Sequence, residues 1–282
     1  MERTSLILEG GGMRGAFTAG VLDLFLDKDL LFRDVYGVSA GACQACSYLC
    51  RQRGRAIKIW MDYCQDKRFC SFSSLIKTGD LFNADFNYHQ IPEELIPIDN
   101  AAYHAADAHF YVVVTNIGTG QAEYLPVYDM LDDVAIVQAS SSLPLVSRPV
   151  EINGQRYLDG GIADSIPLAR AKSDGYIKHV MVLTQASGYR KTPNKAMPLI
   201  ARKYKAYPGL VNTLRNRHTV YNDTLDLIEA EREEGRAFII QPPETPNVGR
   251  IEHDPKKLKA LYQMGYETAE KQFETLLSFL KE

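Results

Sequence analysis

The chain has 282 residues, of which 45% are apolar and 24% charged, and its formal net charge is −3. This is the composition of an ordinary globular protein with chain enough for one large or two small domains, and a charge so close to neutral excludes a general attraction to nucleic acid. No stretch approaches the roughly 18 apolar residues of a membrane span, and the opening MERTSLILEGGG has too short an apolar run for a signal peptide, so a cytoplasmic location is expected.

SLIL (5–8) reads as a short buried strand stopped by three glycines. AFTAGVLDLFLDKDL (16–30) sets apolar residues at helical spacing, with acids and Lys28 on the opposite face. DVYGVS (34–39) is a second strand, and a second helix starts at Ala40. Strand, helix and strand in succession predict a parallel sheet. A further amphipathic helix is expected over 55–67, whereas residues 71–107, rich in aromatic and turn residues, read as an irregular lid or substrate-side insertion. AHFYVVVTNIGTG (108–120) has an unbroken apolar run, which predicts a central strand. QAEYLP (121–126) pairs beside it, and a helix runs through MLDDVAIVQAS (130–140). VEINGQRYLDGG (150–161) predicts a hairpin turning at Asn153-Gly154, the preferred type I′ pair. YIKHVMVLTQ (176–185) is the last buried strand before the composition changes. A linker-like ASGYRKTPNKAMP follows, then a mostly helical remainder with one strand at AFIIQP (237–242). The expectation is an α/β fold with a parallel-rich central sheet flanked by helices over 1–186, and a mostly helical C-terminal region over 187–282.

GVSAG (37–41) satisfies G-x-S-x-G with Ser39 at a strand-to-helix turn, where a nucleophile would be exposed beside the positive end of a helix. The plainer reading is a serine that caps the helix. GGGMRG (10–15) also fits G-x-G-x-x-G, but a dinucleotide site needs an acid at the end of the second strand, and that strand ends in GVSAG. Acyl transfer explains the glycines better, because an oxyanion needs closely approaching backbone N–H groups. Both strands of a right-handed unit end at the same sheet edge, so the two motifs should meet there. Of the histidines, His179 lies inside a buried strand and His218 and His253 in the helical tail, none at a strand end beside a turn. His89, His104 and His109 precede the acid that the order Ser-Asp-His would need. Asp159, before two glycines in YLDGG, does sit at a strand end; it is either the base or a turn aspartate bonding its own backbone. Cys43, Cys46 and Cys50 share a helix face without a matching fourth metal ligand, so the five cysteines are expected to pack as reduced thiols.

In these motifs the chain resembles the patatin-like phospholipases, serine lipid acyl hydrolases that use a Ser–Asp dyad. GGGMRG is similar to that family's oxyanion loop, GVSAG to its nucleophile elbow, ASSSLP (139–144) to a further block and DGG to its second catalytic motif, in family order over roughly residues 4–185. The resemblance implies a patatin-like three-layer sandwich, Ser39 as nucleophile and Asp159 as base. It further implies oxyanion donors at Gly11, Gly12 and Met13, with Arg14 steadying their loop. It implies a lipid or other acyl-ester substrate, cut through an acyl-enzyme without metal or organic cofactor. After DGG, where many relatives carry two asparagines, this chain has Asp164-Ser165, which makes Asp164 a second candidate base. A histidine-dependent esterase and an idle lipid-binding or scaffold module are the competing readings.

From Gly175 to Asn222 there is no acid, but nine basic residues: Lys178, Arg190, Lys191, Lys195, Arg202, Lys203, Lys205, Arg215 and Arg217. This segment reads either as a solvated face paired with acids elsewhere or, over 190–217, as a surface that docks on anionic membrane.

Overall fold

The computed structural model describes residues 3–281. Its first half runs β1 (Thr4–Leu8), α1 (Gly15–Asp27), β2 (Asp34–Val38), α2 (Ala40–Leu49), α3 (Arg55–Tyr63), α4 (Phe72–Thr78), α5 (Asn100–Ala106), β3 (His109–Asn116), β4 (Ala122–Val127) and α6 (Val134–Ser140). The hairpin strands β5 (Val150–Ile152) and β6 (Gln155–Asp159) follow, then α7 (Leu168–Ser173), β7 (Lys178–Val182), α8 (Met197–Lys203), α9 (Pro208–Glu233), β8 (Ala237–Ile240) and α10 (Pro255–Lys281).

The eight strands form one sheet in the order β5-β6-β3-β2-β1-β7-β8, with β4 also on β3. β8, β7, β1, β2 and β3 are parallel neighbours, while β4 and β6 run antiparallel to β3. Side chains alternate across a strand, and here both faces are covered. Leu6, Leu8, Val35 and Val112 enter the core made with α1, α2 and α10. Ile7, Tyr36 and Met181 point the other way, onto α7 and α9. This is the three-layer α/β sandwich expected from the sequence. The type I′ turn is present as well, with φ of 50° at Asn153 and 74° at Gly154.

The change in composition near residue 186 falls after β7, and the chain beyond it re-enters the same sheet as β8, paired with β7 from His179↔Ala237 to Val182↔Ile240. α10 then crosses α1 at close range. A β-carbon on Gly20 would lie 2.0 Å from the Tyr262 carbonyl, and one on Gly265 would lie 2.0 Å from that of Phe17. Tyr262 and Tyr266 donate to Asp23 and Asp27 of α1 at 2.8 and 2.9 Å.

One expectation fails. Residues 71–107 are not irregular but hold α4, a wide π-type turn over Phe86–Leu95, and α5. Helices of seven residues are too short to show a period of 3.6, and what starts them is local. Ser71 accepts the Ser74 N–H at 3.0 Å, and Asp99 accepts that of Ala102 at 2.9 Å. The segment does line the cleft described next, through Phe82, Tyr88, Ile91 and Ile98. No helix among the described residues is long and apolar enough to cross a membrane.

Candidate active site

β1 and β2 pair with Leu8 opposite Gly37, so their C-terminal ends lie side by side. The glycine turn after β1 and Ser39 after β2 therefore meet at one sheet edge. Ser39 has φ 52° and ψ −122°, a conformation a serine adopts only under constraint, at a cost of about 1–3 kcal/mol. The constraint is visible. The Ser39 N–H donates to Ser140 Oγ at 2.7 Å, and Ser140 donates in turn to the Val113 carbonyl at 2.6 Å. On the far side α2 approaches β1 so closely that a β-carbon on Gly41 would sit 2.3 Å from the Leu8 carbonyl. The Ser39 side chain makes no capping bond to α2, which removes the plainer reading of this serine.

The Ser39 hydroxyl donates instead to Asp159 Oδ2 at 2.7 Å. Asp159 lies at the end of β6, only 3% exposed, and its other oxygen, Oδ1, accepts the Gly161 N–H at 2.8 Å. The turn bond expected of an aspartate before two glycines is therefore present, and it leaves the other oxygen within reach of the serine. Its own N–H donates to the Ser142 carbonyl at 2.8 Å. ASSSLP thus grips both partners, a role its sequence does not disclose. Burial raises the Asp159 pKa above the ordinary carboxylate range, opposed chiefly by the Arg217 guanidinium and then by the Ser39 and Gly161 hydrogen bonds. Asp164 is occupied elsewhere, accepting from Tyr124 Oη at 2.7 Å, and Ser165 donates to the Gly161 carbonyl at 2.8 Å.

The glycine turn folds over this pair. Gly10 is packed so tightly that a β-carbon there would lie 2.9 Å from that of Ser39. Gly11 donates to no backbone acceptor among the described residues, and Gly12 opens a 3-10 turn, so its N–H has no partner within that turn. Met13 differs: its N–H donates to the Arg250 carbonyl at 3.1 Å, and of the three expected donors it is the one already engaged. The Arg14 Nε is buried without a hydrogen-bond partner among the described residues, so that atom does not brace the turn.

The cleft around Ser39 measures about 1550 Å³, including the open solvent at its mouth. Its lining falls into two sets of opposite character, an apolar arm and a polar arm. The first is made of Trp60, Phe69, Phe82, Ile91, Met130 and Val137. The second carries Glu9, Arg14, Lys191, Arg217 and Arg250. Among the described residues no histidine lines either arm. His179 is buried beside Ser5, 2.9 Å from its hydroxyl, and burial lowers its pKa to about 4. All five cysteines are free, and Cys46, Cys50, Cys64 and Cys70 are buried in the core. Cys43 borders the cleft, where burial raises its thiol pKa and keeps it protonated.

Sequence reading missed the polar arm. Lys191 and Arg217 belong to the basic segment, yet both turn inward, while Arg190 pairs with Asp226. The segment 190–217 is therefore not one outward basic face. Glu9 was hidden in the strand-end LEGGG; its carboxylate accepts the Thr184 N–H at 2.6 Å and the Tyr221 hydroxyl at 2.6 Å.

Comparison with known proteins adds the following. The family model described as patatin-like phospholipase matches residues 6–172, and one described as a domain of unknown function (DUF6363) matches 207–281. An Escherichia coli K12 protein described as uncharacterized protein YjjU is 33% identical over 253 residues, covering 86% of this chain and 69% of that protein. Mouse 1-acylglycerol-3-phosphate O-acyltransferase Pnpla3 is 28% identical over 180 residues, 61% of this chain and 42% of its own length. Triacylglycerol lipase 4 of Saccharomyces cerevisiae is 41% identical over 70 residues, 25% of this chain and 8% of that protein. The chain thus spans less than half of these last two relatives. Among solved structures, VipD from Legionella pneumophila shares the fold with a TM-score of 0.50 at 16% identity, over 98% of this chain and 67% of that one.

Proposed function

Because this chain belongs to the patatin-like phospholipase family, we propose that it hydrolyses acyl esters of lipids with Ser39 as nucleophile and Asp159 as base. The observation that supports this most is the 2.7 Å bond between Ser39 Oγ and a carboxylate that burial makes more basic. A serine hydroxyl is a weak nucleophile at neutral pH and needs an adjacent base. Ser39 Oγ attacks the ester carbonyl carbon while its proton passes to Asp159. The oxyanion that forms is met by the Gly11 and Gly12 N–H groups, and a third donor, Met13, becomes free only if the Arg250 carbonyl moves. The alcohol leaves with the proton held on Asp159. Water then attacks the acyl-enzyme, gives its proton to Asp159, and the acid departs as Ser39 recovers its hydrogen. The apolar arm is suited to the acyl chain and the polar arm to the alcohol side of the ester.

The test is labelling of Ser39 by a fluorophosphonate together with hydrolysis of a panel of acyl esters. Asp159 must be ionised to act, and its pKa is raised, so the labelling rate should fall with decreasing pH through an apparent value above the ordinary ~4 of an aspartate. Arg217→Gln removes the cation that opposes this shift and should move the acid limb higher still. A panel cut nowhere, with Ser39 unlabelled, would refute the proposal.

Membrane contact belongs to the same reading, but on a smaller surface than the sequence suggested. Lys195, Arg202, Lys203, Lys205 and Arg215 are exposed, and Leu199 is exposed beside them on α8. Arg202→Gln, Lys203→Gln and Lys205→Gln together should abolish low-salt binding to vesicles containing anionic lipid, each cation near the surface contributing about 1 kcal/mol. Binding that is unchanged in that variant would leave α8 a solvated face.

A further inference from the structure

We infer that the polar arm of the cleft is a subsite for a phosphate group carried beside the scissile ester, formed by Lys191, Arg217 and Arg250 of the C-terminal region. The inference rests on the acyl-hydrolase reading for the ester, but the subsite itself is argued from charge and geometry.

Four cations face this arm, the three named and Arg14. None of them has a carboxylate oxygen within 4.0 Å among the described residues, although basic residues elsewhere are paired, as Arg190 is with Asp226 and Arg148 with Asp80. The two carboxylates that line the cleft, Glu9 and Asp159, are already committed. Glu9 accepts from Thr184 and Tyr221, and Asp159 from Ser39 and Gly161. Four basic groups against two carboxylates give the arm a net positive charge, with Arg14, Lys191 and Arg217 partly buried and Arg250 exposed. Removing charges from water without partners is unfavourable, and the strain is felt. Burial, then the neighbouring Arg217, lowers the Lys191 pKa to about 7, and burial lowers that of Arg217 also.

The cations are nevertheless held in place. Arg217 Nε donates to the Gly161 carbonyl, directly behind the Asp159 turn. The Lys191 ammonium stands 3.8 Å from the Tyr221 ring centroid, and its backbone N–H donates to Asn222 Oδ1 at 2.8 Å. Arg250 is fixed at its backbone by the bond to Met13. A phosphate matches this set because its several oxygens accept from two guanidinium forks and an ammonium at once. Arg217 and Arg250 lie in the segment matched by the domain of unknown function, and Lys191 lies just before it. Selection of the polar side of the substrate is thus assigned to a region outside the part matched as patatin-like.

The test uses Lys191→Met with Arg250→Gln, and Arg250→Gln alone as the variant least able to disturb folding, since Arg250 is exposed. With 2-hydroxyethyl dodecanoate and its phosphate monoester as substrates, the double variant should lose at least about tenfold more kcat/KM on the phosphorylated ester than on the neutral one, and the single variant a smaller share of that. In a Ser39→Ala background, calorimetry should show dodecyl phosphate binding more tightly than inorganic phosphate, and the double substitution weakening it by about tenfold or more. Binding that shifts in this way while the wild type cuts no ester would refute the hydrolase reading and keep the subsite. A double variant with unaltered dodecyl phosphate affinity would overturn the subsite. Inorganic phosphate bound as tightly as dodecyl phosphate would overturn its assignment to a phosphate carried on the substrate.

Discussion

Ser39→Ala should lower kcat for a cleaved acyl ester by about 10⁴- to 10⁶-fold, as loss of an activated serine does elsewhere. Asp159→Asn should cost nearly as much. An amide can still accept from Gly161 and keep the turn, but it cannot take the Ser39 proton, so the damage falls on chemistry and not on folding. The double variant should be little worse than either single one, because each needs the other to act. Both side chains are buried at the junction of β2, β6 and α6, so the melting temperature of every variant must be measured beside its rate. Each of the six histidines, changed singly, should leave substantial activity. A histidine variant as inactive as Ser39→Ala would replace the dyad with a triad.

Gly12→Ala should reduce turnover by about 100- to 1,000-fold, the usual effect of losing a well-aimed oxyanion donor. Gly12 has φ 59°, where an L side chain is strained, and its β-carbon would sit 2.5 Å from the Arg250 carbonyl. Either the turn moves, misaiming the Gly11 and Gly12 N–H groups, or the segment around Arg250 is pushed off and the cationic arm opens. Gly11→Ala meets only a side chain, Thr184 Oγ1 at 2.7 Å, and should be the milder change. The comparison is read in single-turnover acylation rates at matched pH. A Gly12→Ala enzyme with native acylation would place the oxyanion hole elsewhere, for instance at the start of α2.

Much of this arrangement was legible in the chain. Strand limits followed from unbroken apolar runs such as FYVVV, which are buried on both sheet faces. The parallel strand–helix–strand rule alone places Ser39 and the glycine turn together. The position of Asp159 before two glycines offers two roles, and its carboxylate both accepts the Gly161 N–H of its own turn and meets the Ser39 hydroxyl, the contact on which the proposed role as base rests.

The residues that were not legible share one property: their meaning depends on distance across the fold. Residues 175–222 showed nine basic residues and no acid, but only the return of the chain into the sheet as β8, and the seating of α9 against the Asp159 turn, decides that Lys191 and Arg217 face inward. Ser140 looks like any serine of a polar run until α6 brings it under the Ser39 N–H. Arg250, more than 200 positions from the glycine turn, has no local pattern at all, yet its carbonyl occupies the Met13 donor. Periodicity, turn chemistry and glycine spacing are short-range consequences of backbone geometry, and the sequence by itself determined what rests on them: the elements, the sheet and the paired motifs. Charge in a cleft and the occupancy of an N–H group arise from long-range packing, and for those only the tertiary structure decided.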